Sequence, residues 1–207
     1  MPTNLFGPND TFDLEKSHVL PALIRKMHLG KALYEKNIDL IRNDLNKRPV
    51  KGLNGEASDS EMIDMLCKFG IKEDSVNLWG SGKPRREFLH SDDLADACVY
   101  IAEKVDFSDI LKNDLGVVSI KYPYVGAEVR NTHINIGTGK DISIKELAEL
   151  IKNEIVKYKG EINWDTGKPD GTFQKLMNVS KLHALGWKDK INFSEGIKAV
   201  YKNYSAY

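Results

Sequence analysis

Apolar residues recur at three- and four-residue spacing in several stretches of the chain, a pattern that predicts amphipathic helices. The clearest helix begins at Ser143, which can form a capping box with Glu146. A second capping box, Ser58 with Glu61, precedes a shorter apolar stripe that stops at Gly70. Other predicted N-caps are Ser17, Ser91, Ser180 and Ser194, and the other predicted stops are Gly160 and Gly186.

Short runs of alternating or β-branched residues predict a few strands between these helices. We expect strands at Val76–Trp79, Ile134–Ile136 and Glu161–Trp164, and an extended segment leading to His90. Residues 1–16 and 113–131 are rich in turn-forming residues and are predicted to be loops. The chain is therefore predicted to have an α/β fold, rich in helix with scattered short strands.

The composition is that of a globular protein rather than a disordered or fibrous one. The 207 residues include 30 Lys+Arg and 30 Asp+Glu, so the formal net charge is zero, and 41% of the residues are hydrophobic. A balanced charge argues against nucleic acid as a partner. No apolar run approaches the ~20 residues that a membrane span needs, and the first residues lack the pattern of a signal peptide, so we expect a cytoplasmic protein.

The cysteines and histidines give little sign of a metal site. Cys67 and Cys98 lie far apart within apolar helical patterns, so both are expected to be reduced and buried. None of the five histidines pairs with another ligand residue at metal-binding spacing, and we expect no metal. His18, beside a predicted N-cap, could serve as an acid or base.

Basic residues gather around two turn-rich segments. Three cations follow the Gly80–Gly82 turn, and a second basic stretch begins at Lys168. Trp79 and Trp164 lie near these segments in sequence, and indole rings can stack on a base or a sugar. Two interpretations remain open: a site for a phosphorylated ligand with a planar head group, or a solvated basic surface with tryptophans in the core.

Two glycine pairs and one Tyr-x-x-x-Lys spacing resemble dehydrogenase motifs only in part. Neither Gly80-Ser81-Gly82 nor Gly137-Thr138-Gly139 is followed by the third glycine of a dinucleotide-binding loop. Tyr100 and Lys104 have the spacing of a catalytic pair, but any amphipathic helix that ends in lysine supplies it by chance. We expect the pair to be a coincidence.

The motifs taken together, and in order, resemble the GDP-L-fucose synthases. These are extended short-chain dehydrogenases of the NAD-dependent epimerase/dehydratase type, which use NADP in the 3,5-epimerisation and 4-reduction of GDP-4-keto-6-deoxy-D-mannose. The matching segments are residues 2–10, 17–26, 79–93, 134–139, 168–172 and 182–187. Residues 30–75 look like a helical insertion found in some bacterial members, and no family motif lies in them.

The resemblance implies a fold and a set of site residues. It makes residues 1–207 the C-terminal, substrate-binding part of such an enzyme, with the last elements of its Rossmann sheet. It implies His18 as the general acid of epimerisation. The implied NADP contacts are Pro2, Thr3, Asn4, Leu5 and His18, and the implied GDP-sugar contacts are Lys26, Trp79, Arg86, Asp170 and Lys175.

The chain also departs from the family pattern. Phe173-Gln174-Lys175 stands where the family has Pro-Arg-Lys, and Asn178 replaces an aspartate. The glycine-rich NADP loop and the catalytic Ser, Cys and Tyr-x-x-x-Lys precede the matching part in the family. We therefore expect that a missing N-terminal half or a homodimer partner is required, and that the chain alone does not oxidise NADPH. The alternative is a non-catalytic GDP-sugar-binding or scaffolding module.

Overall fold

The computed structural model describes residues 1–112 and 132–206, and the predicted loop at 113–131 lies outside them. The described residues form a mixed α/β structure, as predicted. The strands are β1 (Asn4–Phe6), β2 (Ser75–Trp79), β3 (Arg85–His90), β4 (Asp141–Ser143), β5 (Glu161–Asp165) and β6 (Gln174–Lys175). The helices are α1 (Val19–Tyr34), α2 (Ile38–Lys47), α3 (Asp59–Lys68), α4 (Ser91–Lys104), α5 (Phe107–Lys112), α6 (Ile144–Leu150), α7 (Ser180–Ala184) and α8 (Phe193–Ala206).

The chain divides into two compact units. The first unit consists of Met1–Gly7, Arg86–Asp141 and Lys175–Phe193. The second unit consists of Pro8–Arg85, Ile142–Gln174 and Ser194–Tyr207. None of the helices in the described ranges is both long enough and apolar enough to cross a membrane.

A parallel strand pair lies in the first unit. Strand β1 runs beside β3, with Asn4 opposite Phe88 and Phe6 opposite His90. The prediction of a loop throughout residues 1–16 is therefore wrong at β1. The buried core of this unit contains Leu89, Ala97, Ile136, Leu182 and Trp187. Burial of these side chains removes apolar surface from water and holds α4 and α7 beside the strand pair.

The predicted strand Ile134–Ile136 is wrong except at its last residue. Ile136 pairs with Pro2 in an isolated bridge. The Thr3 N–H donates to the Ile136 carbonyl at 3.0 Å, and the Ile136 N–H donates to the Met1 carbonyl at 2.8 Å. The Met1 ammonium also donates to the Ile134 carbonyl at 2.6 Å, so three hydrogen bonds join the two segments, although Ile134 and Asn135 do not belong to a strand.

Tyr100 of α4 has a structural partner in the first unit. Its hydroxyl donates to the Leu185 carbonyl at 2.9 Å, and its ring packs against the core. Gly186 has a φ of +99° and ends α7 as predicted, because a left-handed residue closes a helix most easily when it lacks a Cβ. The hydroxyl bond fits the expectation that the Tyr100–Lys104 spacing is a coincidence.

Helix α1 is the centre of the second unit. It contacts α2, β2 and the segment that follows α6, and β2 pairs in parallel with β5. Eleven of its sixteen residues are buried, including Ile24, Met27 and Leu29. A helix that is apolar around most of its circumference must be covered on several sides, and this arrangement covers it.

The two predicted capping boxes are confirmed. The Ser143 hydroxyl oxygen accepts from the Glu146 N–H at 3.1 Å, and the Glu146 carboxylate accepts from the Ser143 N–H at 2.9 Å. Ser58 and Glu61 exchange the same pair of bonds at the start of α3. Each box satisfies two backbone donors that a helix N-terminus otherwise leaves unpaired.

The other four serine caps are wrong. At α1 and α4 the N-cap is the neighbouring histidine, and the His90 Nδ1 accepts from the Asp92 N–H at 3.2 Å. The Ser17 hydroxyl instead donates to the Asp13 carbonyl. Helix α7 has Val179 at its N-cap, and α8 begins at Phe193, two residues earlier than a helix capped by Ser194, so Ser180 and Ser194 lie within their helices.

Helix α6 ends earlier than predicted. It continues into one π-helical turn, Ile151–Val156, and stops at Lys157, which has a left-handed φ of +59°. Gly160 is therefore not the stop. A Cβ at position 160 would collide with the Tyr158 hydroxyl and the Asp74 carbonyl, so glycine is required there by close packing.

Both cysteines are free, and both are exposed. The prediction that they are buried is wrong. In α3 the buried stripe consists of Met62 and Leu66, and in α4 it includes Ala97, so each thiol lies beside the stripe rather than within it. An apolar pattern read along one sequence does not by itself say where the buried face ends.

Candidate functional site

The loop before α1 is folded by one aspartate. The Asp13 Oδ1 accepts from the Glu15 N–H at 2.7 Å and the Lys16 N–H at 2.8 Å, and these two bonds lower the pKa of its carboxyl group. The Asp13 carbonyl accepts from the Ser17 N–H at 3.3 Å. This turn delivers His18 to the N-cap of α1.

His18 is exposed, and its side chain makes no capping hydrogen bond. Its ring stands at the positive end of the helix dipole. Burial raises the pKa of the nearby Asp10, and the Thr11 N–H and the positive charge on His18 oppose that rise. An imidazole in this setting can exchange protons with a bound ligand.

A cleft of about 720 Å³ opens in the second unit beside this loop. Ser17 and Val19, which flank His18, line it, although His18 itself does not. Two of the predicted substrate residues, Lys26 and Trp79, also line the cleft. The volume lies in the range of small-molecule sites in proteins.

Lys26 is held in place by backbone carbonyl groups. Its Nζ donates to the Phe69 carbonyl at 2.8 Å and to the Asn77 carbonyl at 3.3 Å. Burial lowers the pKa of its ammonium group. Since an ammonium has three N–H donors, one remains for a ligand after these two bonds.

Trp79 is the most exposed large apolar residue in the described ranges, with 75% of its surface accessible. It ends β2, and the Lys168 Nζ lies 5.7 Å from its ring centroid. The interpretation of Trp79 as a core tryptophan is therefore wrong. An exposed indole that lines a cleft presents a flat face on which a base or a sugar can stack.

Trp164 lies on β5, opposite Leu78 of β2, and also lines the cleft. It packs against the glycine turn that follows β2. Gly82 has a φ of +72°, and a Cβ there would come within 2.7 Å of the Trp164 ring. Glycine thus allows both the turn and the close approach of the ring.

Asp170 joins two loops rather than lining the cleft. Its Oδ1 accepts from the Ser81 N–H at 2.8 Å, and its Oδ2 accepts from the Ser81 hydroxyl at 2.6 Å. These bonds, the side-chain bond above all, lower the pKa of Asp170. The carboxylate fastens the Lys168–Gly171 turn to the Gly80–Gly82 turn.

The charged residues in the cleft favour an anionic ligand slightly. Its lining contains three lysines and two carboxylates: Lys26, Lys51, Lys68, Glu15 and Asp165. The tryptophans add planar apolar surface. The combination of cations and exposed aromatic rings suits a ligand that has both a phosphate and a planar base.

The remaining predicted residues lie in the first unit. Thr3 and Asn4 both donate to the Glu87 carbonyl, from Oγ1 at 3.3 Å and from Nδ2 at 2.8 Å. Pro2 forms the bridge to Ile136, and Leu5 lies opposite Leu89. The Pro2–Leu5 segment is uncharged and only partly buried, so it can form one wall of a binding site.

Glu87 is a buried anchoring residue that the sequence predictions did not include. It lies in β3 with none of its surface exposed, next to the half-buried Arg86. Its Oε1 accepts from the N–H groups of Thr138 and Gly139, both at 2.7 Å, and its Oε2 accepts from the Met177 N–H at 2.9 Å. Met177 follows the exposed Lys175 by two residues, so this carboxylate anchors the segment that carries Lys175.

One signal in the sequence could have found Glu87. An acid directly followed by Phe88 and Leu89 in a predicted extended segment needs hydrogen-bond donors, because buried carboxylates are costly without them. Lys51 and Lys68 of the cleft gave no signal, since they lie in the segment without family motifs. In the described residues, no group of three His, Cys, Asp or Glu side chains could hold a metal ion.

Comparison with known proteins supports the resemblance. The model of the NAD dependent epimerase/dehydratase family matches residues 49–113. GDP-L-fucose synthase 1 of Arabidopsis thaliana is 39% identical over 99% of the chain, and GDP-L-fucose synthase of Escherichia coli (strain K12) is 35% identical over 98% of it. The chain is similar to the GDP-L-fucose synthases. The similarity covers 44% and 46% of those two proteins, so the chain spans less than half the length of these relatives.

A solved structure extends the similarity beyond the GDP-L-fucose synthases. MlghC, described as a GDP-mannoheptose C4 reductase from Campylobacter jejuni with NADP bound, is 45% identical. The match covers 98% of this chain and 51% of that chain, with a TM-score of 0.77. The fold is thus shared with a reductase that acts on a GDP-linked heptose as well as with the GDP-L-fucose synthases.

Proposed function

We propose that the chain is the C-terminal, substrate-binding part of a GDP-L-fucose synthase-like epimerase/reductase, and that it binds a GDP-linked sugar. The observation that carries the proposal is the cleft, which combines the exposed Trp79 with Lys26 and the other lysines. A phosphate needs cations, and a guanine base or a sugar ring needs a flat apolar face. The two curated relatives and MlghC support the same class of ligand.

Each predicted residue has a role in this proposal. Trp79 stacks on the ligand, and Lys26 offers its third N–H to it. Asp170 acts through Ser81 by holding the two loops together. For His18, Arg86 and Lys175, which do not line the cleft, the proposal rests on the family resemblance, with His18 as the general acid of epimerisation and Arg86 and Lys175 as substrate-binding residues.

The chain fits NADP only in part. The uncharged Pro2–Leu5 segment suits one wall of a nicotinamide site, because it offers apolar and backbone surface without a competing charge. The sequence contains no glycine-rich loop for the cofactor phosphates. NADP supplies hydride to the sugar when it is bound, and this chain contributes the wall and His18.

The alternative, a non-catalytic module that binds a GDP-sugar or acts as a scaffold, rests on one observation. The Tyr100 hydroxyl donates to the Leu185 carbonyl, so Tyr100 does not take the place of the catalytic tyrosine that precedes the matching part in the family. The enzymatic proposal and the binding form of the alternative both require a GDP-sugar in the cleft, which makes binding the first property to test. A cytoplasmic location, and a requirement for an N-terminal half or a second copy, belong to the enzymatic proposal.

Isothermal titration calorimetry of the purified chain tests the ligand class. We expect GDP-mannose to bind and UDP-glucose to bind at least about tenfold more weakly, since one mismatched base contact costs of the order of 1.4 kcal/mol. Equal affinity for the two nucleotide sugars, or no heat with either, would overturn the proposed function.

A further inference from the structure

The segment between α1 and β2, residues 35–74, forms one wall of the cleft. It contains α2, α3 and the turn that joins Val50 to Leu53. The residues that it contributes to the cleft are Lys51, Met65, Lys68, Phe69 and Gly70. A segment that looks like an insertion in sequence thus supplies both charged and apolar surface to the proposed site.

Lys51 is presented to the cleft by a constrained turn. Val50 and Leu53 exchange two backbone hydrogen bonds, both at 2.9 Å, and Lys51 has a left-handed φ of +49°. A residue other than glycine rarely adopts this conformation, and the turn holds the backbone of Lys51 in it. The Lys51 Nζ lies 3.0 Å from the Glu15 Oε1 and 5.5 Å from the ring centroid of Phe69.

The ion pair with Glu15 leaves the Lys51 ammonium able to donate a hydrogen bond to a ligand. Both side chains are about half exposed, 56% for Lys51 and 52% for Glu15. Exposed ion pairs contribute little, about 0–1 kcal/mol, because water screens them. The ammonium can therefore keep the carboxylate as one partner and donate its other N–H groups to a ligand.

The contact with Glu15 also places Lys51 along the cleft. Glu15 belongs to the turn that Asp13 folds, and it precedes His18 by three residues. In the proposed function His18 acts on the sugar ring. Within the proposed function, a cation beside the loop that presents His18 is therefore assigned to the sugar part of the ligand.

We propose that residues 35–74 form the sugar-binding wall of the cleft, with Lys51 donating hydrogen bonds to hydroxyl groups of the sugar. Met65 and Phe69 give the apolar surface against which the C–H face of a sugar packs. This inference rests on the proposed function, because it takes a nucleotide sugar as the ligand. It assigns contacts with the sugar to a segment outside the family motifs.

Lys51→Gln tests the inference, and Lys36→Gln is its matched control. Lys36 has a φ of +56° and pairs with Glu73 at 3.9 Å, but it does not line the cleft. Affinities for GDP-mannose and for GDP are measured by calorimetry on both variants. We expect Lys51→Gln to weaken GDP-mannose binding about tenfold or more, the effect of one lost hydrogen bond from a charged donor, and to leave GDP nearly unchanged.

The outcomes separate the two proposals. Equal weakening of GDP and GDP-mannose by Lys51→Gln would overturn the inference by moving Lys51 to the diphosphate. No change with either ligand, or the same loss in Lys36→Gln, would overturn it as well. Failure of the unchanged chain to bind both ligands would overturn the proposed function itself. Thermal unfolding of each variant verifies that the fold is kept.

Discussion

Glu87 illustrates, at the scale of one residue, how a buried charge is tolerated. Three backbone N–H groups replace the water that the carboxylate loses, and Gly137 has no Cβ to collide with it. The carboxylate thereby joins β3 to two loops that are far away in sequence. Glu87 contributes to stability because both of its carboxylate oxygens accept hydrogen bonds from backbone N–H groups.

Glu87→Gln changes only one of those oxygens. The amide keeps one acceptor, but its NH₂ group then faces a backbone N–H, so one donor is left unpaired. We expect the free energy of unfolding in urea to fall by about 1–3 kcal/mol. Glu103→Gln, at an exposed position of α4, is the control and should change it little. Equal stability of the two variants would contradict the role given to Glu87.

His28 is a second buried residue whose charge matters. It is 9% exposed, and its Nδ1 lies 3.1 Å from the Tyr201 hydroxyl. Burial lowers the pKa of His28 from 6.5 to about 4. The charged groups that act on it are Asp44, Lys31, Arg48 and Arg25, of which only Asp44 favours protonation.

The lowered pKa makes stability depend on pH. The unfolded chain binds the proton more tightly than the folded protein, so the contribution is fully present above about pH 6.5 and is lost as the pH falls toward 4. We expect the free energy of unfolding to drop by about 2 kcal/mol more in the unchanged chain than in His28→Gln between pH 7 and pH 5. Parallel pH profiles for the two proteins would contradict this account.

At the scale of an element, the Gly80–Gly82 turn after β2 has a structural role, although its sequence lacks the third glycine of a dinucleotide-binding loop. The Gly80–Gly82 turn keeps Asp170 and Trp164 close to the backbone. Gly82→Ala introduces both a strained φ and a collision with the indole ring. Gly52→Ala introduces the strained φ alone, since Gly52 has a φ of +82° and nothing within 4 Å of the Cβ position.

We expect Gly52→Ala to lower the free energy of unfolding by about 1 kcal/mol, the cost of a left-handed alanine. Gly82→Ala should lower it further and should also weaken GDP-mannose binding, because Trp164 has to move. Denaturation in urea and calorimetry measure the two effects. Equal losses of stability in the two variants, with unchanged binding, would show that the contact with Trp164 has no role.

Elements defined by neighbouring residues could be predicted from the sequence. Both partners of each capping box lie within three residues, so the pattern contains the whole interaction. The prediction of Ser17 as a cap was wrong because its hydroxyl group donates to the Asp13 carbonyl, within a turn that precedes the helix. The prediction that Gly160 ends the helix was wrong as well, because the chain forms a π-helical turn that ends at Lys157, and the spacing of apolar residues does not indicate such a turn.

The contacts that build the cleft, at the scale of the whole molecule, could not be predicted from spacing. Lys26 reaches carbonyl groups 43 and 51 residues away, and Asp170 reaches back 89 residues to Ser81. The family resemblance named Lys26, Trp79 and Asp170, but it gave no role to Lys51. Sequence similarity thus led to the proposed class of site, and the fold supplied the wall that residues 35–74 add to the cleft.

The central claim is that the cleft binds a GDP-sugar through the exposed indole of Trp79. Calorimetry with GDP-mannose on the unchanged chain, on Trp79→Ala and on Phe107→Ala tests it most directly. Phe107 is also exposed, at 56%, but lies in α5 of the first unit, outside the cleft. We expect Trp79→Ala to weaken binding at least about fivefold, since stacking on an aromatic ring contributes about 1–3 kcal/mol, and Phe107→Ala to leave it unchanged. Binding of the same strength in all three proteins would contradict the claim.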